Sequence, residues 1–226
     1  MFEIVNLFSY EEFFTLRRLV TLHVKRKIPA LSDLSTYHTA ATDSLHSVLS
    51  PKRERVLGRE DGNQILSLHA ITRLLKEFSG YQISNIVYDS KTTEDRPEFY
   101  FRLVRPHAKC DVGTPHCDFW FDEAMRTNFG RGNTIKFWIP IVMEPGKNGL
   151  LFYPVDANRV PYVIKGNDDC RKPILDCDIS ELGHPILPHV NYGQAIRFND
   201  DILHCGAINN GSTTRVSLEI TLVRRK

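Results

Sequence analysis

No apolar run in this 226-residue chain approaches the roughly 20 residues that a membrane-spanning helix requires. The N-terminus, MFEIVNLFSYEE, lacks a basic segment followed by an apolar core and carries acids early, so no secretory leader is expected. A disulfide framework is missing too. The five cysteines are odd in number and include no C-x-x-C or zinc-ribbon spacing, which points to reduced thiols and a soluble, cytoplasmic protein. Asn-Gly-Ser at 210–212 then reads as turn chemistry. Nor does one sign of charge dominate, since the net charge is +2. The basic clusters at 25–27, 52–55 and 224–226 read as solvated helix ends, so neither nucleic acid nor a membrane is expected as a partner. Repeats and low-complexity segments are absent. What remains, 42% hydrophobic and 25% charged, is the composition of a globular chain with a substantial core.

The first third is patterned for helices. Ser9 followed by Glu12 is a capping-box signature opening YEEFFTLRRLVTLHVKRK, with Phe13, Leu16, Val20 and Val24 as its apolar stripe and Pro29 as its stop. A second helix is predicted over 38–49. A third carries Ile65, Leu68, Ile71, Leu74, Leu75 and Phe78, with Gly80 at its C-cap. From residue 82 the period changes to two. YQISNIVYDS, EFYFRLVRP, HCDFWFD, NTIKFWIPIV, GLLFYPV, QAIRFND, DILHCGAI and RVSLEITLV read as about eight short strands, a number and spacing that suit a barrel or jelly roll. The stretch 155–190, with Pro161, Pro173, Pro185 and Pro188, reads as an irregular excursion. The expected architecture is mainly β: one domain over 1–226, with a helical support region at 1–80 and a β core at 81–226.

Within that core, TPHCDFWFD (114–122) holds two metal-competent side chains. On a strand, His116 and Asp118 share a face and Cys117 points the other way. His204 comes late, in ILHCGAI, and Arg215 opens a strand of clean alternation. Val216, Leu218, Ile220 and Leu222 face one way there, with Arg215, Ser217, Glu219 and Thr221 opposite. A four-residue loop at 209–212 would pair Gly206 with Arg215 and His204 with Ser217. Arg215 then lies roughly 7 Å along the sheet from His204, with Gly206 leaving an empty slot opposite the guanidinium.

The order His116-x-Asp118, His204, Arg215 is that of a two-histidine, one-carboxylate metal site with open positions. Over about residues 98–223 the chain resembles the Fe(II)/2-oxoglutarate dioxygenases with a double-stranded β-helix (jelly-roll, cupin-like) fold. It looks most like their phytanoyl-CoA dioxygenase-like branch, on the strength of NTIKFWIPI and KNGLLFYP. The resemblance implies that His116, Asp118 and His204 bind Fe(II) and are the catalytic centre, and that Arg215 clamps the distal carboxylate of 2-oxoglutarate. Trp138 and Ser217 would line the cosubstrate pocket, and Arg102 or Lys136 would add a second contact to it or meet an anionic substrate. O2 is the co-reactant, and an aspartate in the triad favours hydroxylation over halogenation. The stretch PVDANRVPYVIKG lacks the branch's Pro-Gly-Ser-His segment, so fatty acyl-CoA does not carry over as substrate.

Two other readings keep part of this pattern. A cupin-type isomerase or hydrolase could hold zinc or manganese at the same site, but has no use for Arg215. A non-catalytic β-sandwich binding module would need neither. The expected substrate is a small molecule, anionic or carbohydrate-like, given Arg102, Arg105, Arg126, Arg131 and Lys136 near the presumed mouth. His23, His38, His46 and His69 read as helix-surface or cap residues, and His107, His184 and His189 as loop residues. Cys117 and Cys205 read as small buried hydrophobes.

Overall fold

The computed structural model describes residues 1–49, 52–87, 93–125, 130–166 and 171–225. Residues 88–90 of the first strand run, and Arg126, lie outside these. A short strand, β1 (Glu3–Asn6), precedes α1 (Tyr10–Lys27). The capping box forms as expected: the Ser9 hydroxyl accepts from the Glu12 amide at 3.3 Å, and the Glu12 carboxylate accepts from the Ser9 amide at 3.0 Å. Phe13, Leu16, Leu19, Val20 and Val24 are buried, whereas Phe14 stays exposed.

The next two expected helices are each broken in two. In place of one helix over 38–49 there are α2 (Tyr37–Ala40) and α3 (Asp43–Val48), because Thr42 leaves the helix and its hydroxyl caps the Leu45 amide at 3.3 Å. The third splits into α4 (Arg59–Leu66) and α5 (His69–Glu77) at Leu68, whose backbone is extended. Glu12 stabilises that break by accepting from the Ala70 amide at 2.7 Å. Phe78 ends α5, so Gly80 lies beyond the cap.

The strands that follow are β2 (Tyr81–Ile83), β3 (Asn85–Val87), β4 (Thr93–Pro97) and β5 (Phe99–Val104). After α6 (Asp118–Met125) come β6 (Thr134–Val142), β7 (Leu150–Phe152), β8 (Tyr162–Lys165), β9 (Lys172–Leu175), β10 (Gln194–Asn199), β11 (His204–Gly206) and β12 (Arg215–Arg224). Six strands make an antiparallel main sheet in the order β1-β10-β6-β12-β2, with β5 also on β12. A smaller sheet pairs β11 with β7, extended by bridges from His116 to His204 and from Ile186 to Phe152. The two sheets form a jelly roll.

Alternation divides each sheet between two environments. On one face of the main sheet, Val216, Leu218, Ile220 and Leu222 join Phe101, Phe137 and Ile139 in a core shared with the stripe of α1. The register places Arg215, Ser217, Glu219 and Thr221 on the other, inner face, beside Tyr100 and Arg102 of β5, Lys136 and Trp138 of β6, and Ile196 and Phe198 of β10. On the small sheet, Leu150 and Phe152 pack inward with Trp138, Ile196 and Phe198. Cys117, Leu203 and Cys205 pack outward with Trp120 and Tyr153.

Three further expectations are corrected. HCDFWFD is not a strand: His116 alone makes a bridge, and Asp118 begins α6. The buried residues there, Trp120 and Ala124, are four apart, a helical interval. The excursion at 155–190 is more regular than expected. It holds the hairpin β8–β9 and packs Ala157, Val160 and Leu182 against the outer cluster. The hairpin predicted between His204 and Ser217 does not form. Instead β11 pairs with β7, and β12 with β5 and β6. Asn209 is the cause: its amide donates to the carbonyls of Val104 (2.9 Å) and Thr213 (2.8 Å), and its oxygen accepts from the Gly211 amide and the Asn148 side chain. A wide, bonded loop thus sends the two strands to different sheets.

Candidate metal and cosubstrate site

His116, Asp118 and His204 converge despite the helix. One nitrogen or oxygen of each lies within 4.8 Å of the other two. The two histidines exchange backbone hydrogen bonds at 2.9 Å, and their rings stand 4.7 Å apart. Each imidazole is fixed in one tautomer, because its Nδ1 faces a carbonyl that can only accept: Thr114 at 2.8 Å for His116, and Ile202 at 2.9 Å for His204. Both Nε2 lone pairs are therefore left for a metal. Asp118 comes from the first turn of α6, which the outer cluster holds in place through Trp120 stacked on Tyr162 at 4.3 Å. Phe121 edges His116, and Phe152 and Phe198 surround His204.

The electrostatics suit a dication. Burial, with His204 alongside, pushes the His116 imidazole down to about 3, so it is a neutral ligand at any ordinary pH. Burial raises the Asp118 carboxyl, but Lys136, the two histidines and Arg102 outweigh that and hold it below its usual range. The Lys136 ammonium is 3.8 Å from Asp118. Burial opposes its charge, yet Asp118 and then Glu219 keep it firmly protonated. Two neutral imidazoles and one carboxylate are a donor set that fits Fe(II) or another divalent first-row metal.

Arg215 stands on the facing sheet, only 1% exposed. Its Nη1 donates to the Gly149 carbonyl, and its guanidinium carbon lies 6.0 Å from the centre of the Trp138 ring. The Asn148-Gly149 turn explains that contact. Asn148 is buried and bonded to Asn209, and Gly149 adopts φ 149°, which presents its carbonyl to Arg215 and to the Ala207 amide. Burial, and after it Arg102, brings the Arg215 guanidinium down to about 9. A charge held at such cost favours an anion beside it. Among the described residues, three buried polar atoms here have no hydrogen-bond partner: Arg215 Nε, Ser217 Oγ and Trp138 Nε1. Unpaired buried groups on one face suit a ligand that accepts from all three. The slot at Gly206 is present even without the hairpin, since a Cβ there would lie 3.3 Å from Arg215 Nη2.

The other residues named from sequence fall into two groups. Arg102 sits on the inner face opposite Ser217, and Lys136 beside Asp118. Arg105 and Arg131 are already engaged. Arg105 pairs with Asp111 and Asp43, and Arg131 donates to Asn158 and lies over Phe119. His23 is not a surface residue: it is part-buried, bonded to the Glu54 carbonyl and edged against Phe101. His46 likewise links Tyr37 to Asp111. His38 bonds Thr214. Sequence reasoning passed over Arg55, which belongs to the run read as a solvated helix end but lies over Tyr100 on the inner face, its guanidinium carbon 5.2 Å from the ring centre. The signal was present in the apolar Val56-Leu57 that follows it.

No protein-family model matches the chain, and no curated protein sequence does. Solved structures do. The apo form of the non-haem monooxygenase ThoJ superposes with a TM-score of 0.57 at 12% identity, over 99% of this chain and 74% of that one. AviO1 from Streptomyces viridochromogenes gives 0.56 at 12% identity, over 98% of this chain and 89% of that one. EctD from S. alaskensis, solved with 2-oxoglutarate and 5-hydroxyectoine, gives 0.56 at 12% identity, over 99% and 72%. At these identities the likeness is one of fold: this chain has the jelly-roll fold of these proteins, helical first third included.

Proposed function

We propose that the protein is a non-haem Fe(II)/2-oxoglutarate-dependent oxygenase of the phytanoyl-CoA dioxygenase-like branch that hydroxylates a small molecule, anionic or carbohydrate-like. The observation that carries this reading is the pairing of the triad with Arg215. Two histidines of the small sheet and Asp118 from the first turn of α6 face a buried guanidinium on the main sheet, with Ser217 Oγ and Trp138 Nε1 unpaired beside it among the described residues. The folds shared with ThoJ, and with EctD solved with bound Fe, support it.

On this reading His116, Asp118 and His204 hold the iron, and Arg215, with Ser217 and Trp138, holds the distal carboxylate of 2-oxoglutarate. When bound, Fe(II) with 2-oxoglutarate and O2 supplies the oxidation of a substrate C–H bond, with succinate and CO2 as coproducts. The chain's own part is placement. Thr114 and Ile202 keep the two Nδ1 protons away from the metal. Lys136 faces Asp118 and holds it ionised. Arg102 adds positive charge beside Ser217. Phe121, Phe152 and Phe198 keep bulk water from the imidazoles.

Anaerobic titration of the metal-free protein with Fe(II), with and without 2-oxoglutarate, tests this through the weak visible charge-transfer band of the chelated cosubstrate. The band is expected to need both components, to vanish in His116→Ala, and to require at least tenfold more 2-oxoglutarate in Arg215→Ala. Tight metal binding indifferent to 2-oxoglutarate would leave a metalloenzyme of another chemistry. No metal binding at all would overturn the reading.

A further inference from the structure

Lys136 has two carboxylates within its swing. β6 and β12 pair so that Lys136 stands opposite Thr221 and Trp138 opposite Glu219. Lys136 and Glu219 are therefore diagonal neighbours on the inner face, a separation that long side chains span. Phe198 flanks Lys136 on the other edge of β6. Asp118 approaches the same ammonium from the first turn of α6.

Neither carboxylate is held tightly. Lys136 Nζ lies 3.8 Å from Asp118 Oδ1, and Arg102 Nε lies 3.8 Å from Glu219 Oε1, both beyond hydrogen-bond range. The side chains of Lys136, Asp118 and Glu219 are 18%, 20% and 23% exposed, so water reaches each of them. Burial works against the charge on Lys136. Asp118 offsets that most and Glu219 next, ahead of Glu98 and Asp122.

A metal on Asp118 changes this balance. A dication at bonding distance from the carboxylate brings two positive charges against an ammonium a few ångströms away, in a part-buried site that salt screens poorly. Asp118 then no longer serves as the ammonium's partner. A lysine can answer by turning, since its point charge rides on a flexible four-carbon stem.

We infer that Glu219 is a positioning residue of the metal centre and acts through Lys136: it draws the ammonium away from Asp118 when a dication binds there. It thereby raises the metal affinity of a triad to which it gives no donor. The inference rests on the metal-binding part of the proposed function and extends it to a residue outside the triad. Lys136 is the metal's competitor for Asp118, and Glu219 is where that competitor goes.

The test is Zn(II) affinity without 2-oxoglutarate, measured by competition with a chelating dye. Wild type is compared with Glu219→Gln, Glu219→Asp, Lys136→Met and the double variant Lys136→Met/Glu219→Gln, with thermal midpoints alongside. Lys136→Met is expected to bind at least tenfold more tightly than wild type, because the repelling charge is gone. Glu219→Gln should bind at least tenfold more weakly, with much of the loss recovered in Glu219→Asp, which keeps the charge. In the Lys136→Met background the same Gln substitution should change affinity less than threefold. A merely structural role for Glu219 would weaken binding equally with and without Lys136, and that outcome overturns the inference. Wild-type affinity in Glu219→Gln, or weakened binding in Lys136→Met, overturns it too. Should the Gln variants fail to fold, wild type labelled with 13C-lysine decides the matter by NMR. A nuclear Overhauser contact between the Lys136 and Glu219 side chains should appear or strengthen on adding Zn(II), and no change would refute the inference. A wild type that binds no Zn(II) would sink the metal reading itself, whereas tight binding without coupling between 136 and 219 sinks the inference alone.

Discussion

Gly206 stands against the guanidinium of Arg215: a Cβ on the glycine would lie 3.3 Å from Nη2 and 3.5 Å from Nη1, and 3.2 Å from the Val112 side chain. The two residues sit on different sheets, so this contact is where the sheets approach each other beside the site. Gly206→Ala should fold, at a cost of about 1 kcal/mol as its neighbours shift by a few tenths of an ångström. Its expected effect is on cosubstrate. Titration of 2-oxoglutarate into the Ni(II)-loaded variant should show affinity lowered about tenfold with metal affinity unchanged. A loss of metal binding instead would mean that the glycine supports His204 rather than Arg215.

Asp111 holds the loop ahead of His116 to the helices. It accepts from the Arg105 amide at 2.9 Å and from its side chain at 3.0 Å, and lies 3.3 Å from His46 Nε2. Burial raises its carboxyl, but His46 and Arg105 outweigh that and hold it well below the ordinary range. A depressed carboxylate stabilises the fold above the unfolded-state pKa of about 4, and that contribution is lost as pH falls through the folded value. Asp111→Asn should therefore cost about 3 kcal/mol in denaturant at pH 7. The gap to wild type should narrow as pH drops from 4 to 2. A gap independent of pH would assign the effect to packing.

Tyr162 stacks on Trp120, two residues beyond Asp118, and donates to Glu123, also on α6, at 2.5 Å. Tyr162→Ala should loosen the first turn of α6. Metal affinity, measured by competition with a chelating dye, is expected to fall about tenfold, in the manner of supporting residues around metal sites. Unchanged affinity would mean that Asp118 is held by the bridge at His116 alone.

Asn209 has no exposed surface and four hydrogen-bond partners within 3.0 Å. Replacing it with alanine strands the Val104 and Thr213 carbonyls, the Gly211 amide and the Asn148 side-chain amide, at an expected cost of about 3 kcal/mol. Urea unfolding gives the number, and a cost under about 1 kcal/mol would show that water replaces the side chain.

Local rules carried the sequence reading a long way. The capping box at Ser9 and Glu12 and the alternation from Arg215 to Leu222 are encoded within a few residues, and both appear in the structure. The grouping of His116, Asp118 and His204 was also legible, through the resemblance. What the sequence hid was non-local. Whether β11 pairs with β12 or with β7 depends on what Asn209 bonds across 105 residues to Val104. The helix at Asp118 was obscured because apolar residues at 119–121 satisfy neither period over so short a run. Arg55 was hidden by its neighbours, since only the bridge from Val56 to Tyr100 turns one member of a basic cluster inward.

Because the loop at Asn209 parts β11 from β12, the two histidine donors and Arg215 are anchored in separate sheets rather than along one hairpin. The separation of jelly-roll sheets is roughly 10 Å and is set by the packed aromatic side chains between them. The fold therefore works as a caliper on the proposed cosubstrate. A keto diacid one carbon shorter or longer than 2-oxoglutarate meets jaws that only repacking Trp138, Phe152 and Phe198 could reset.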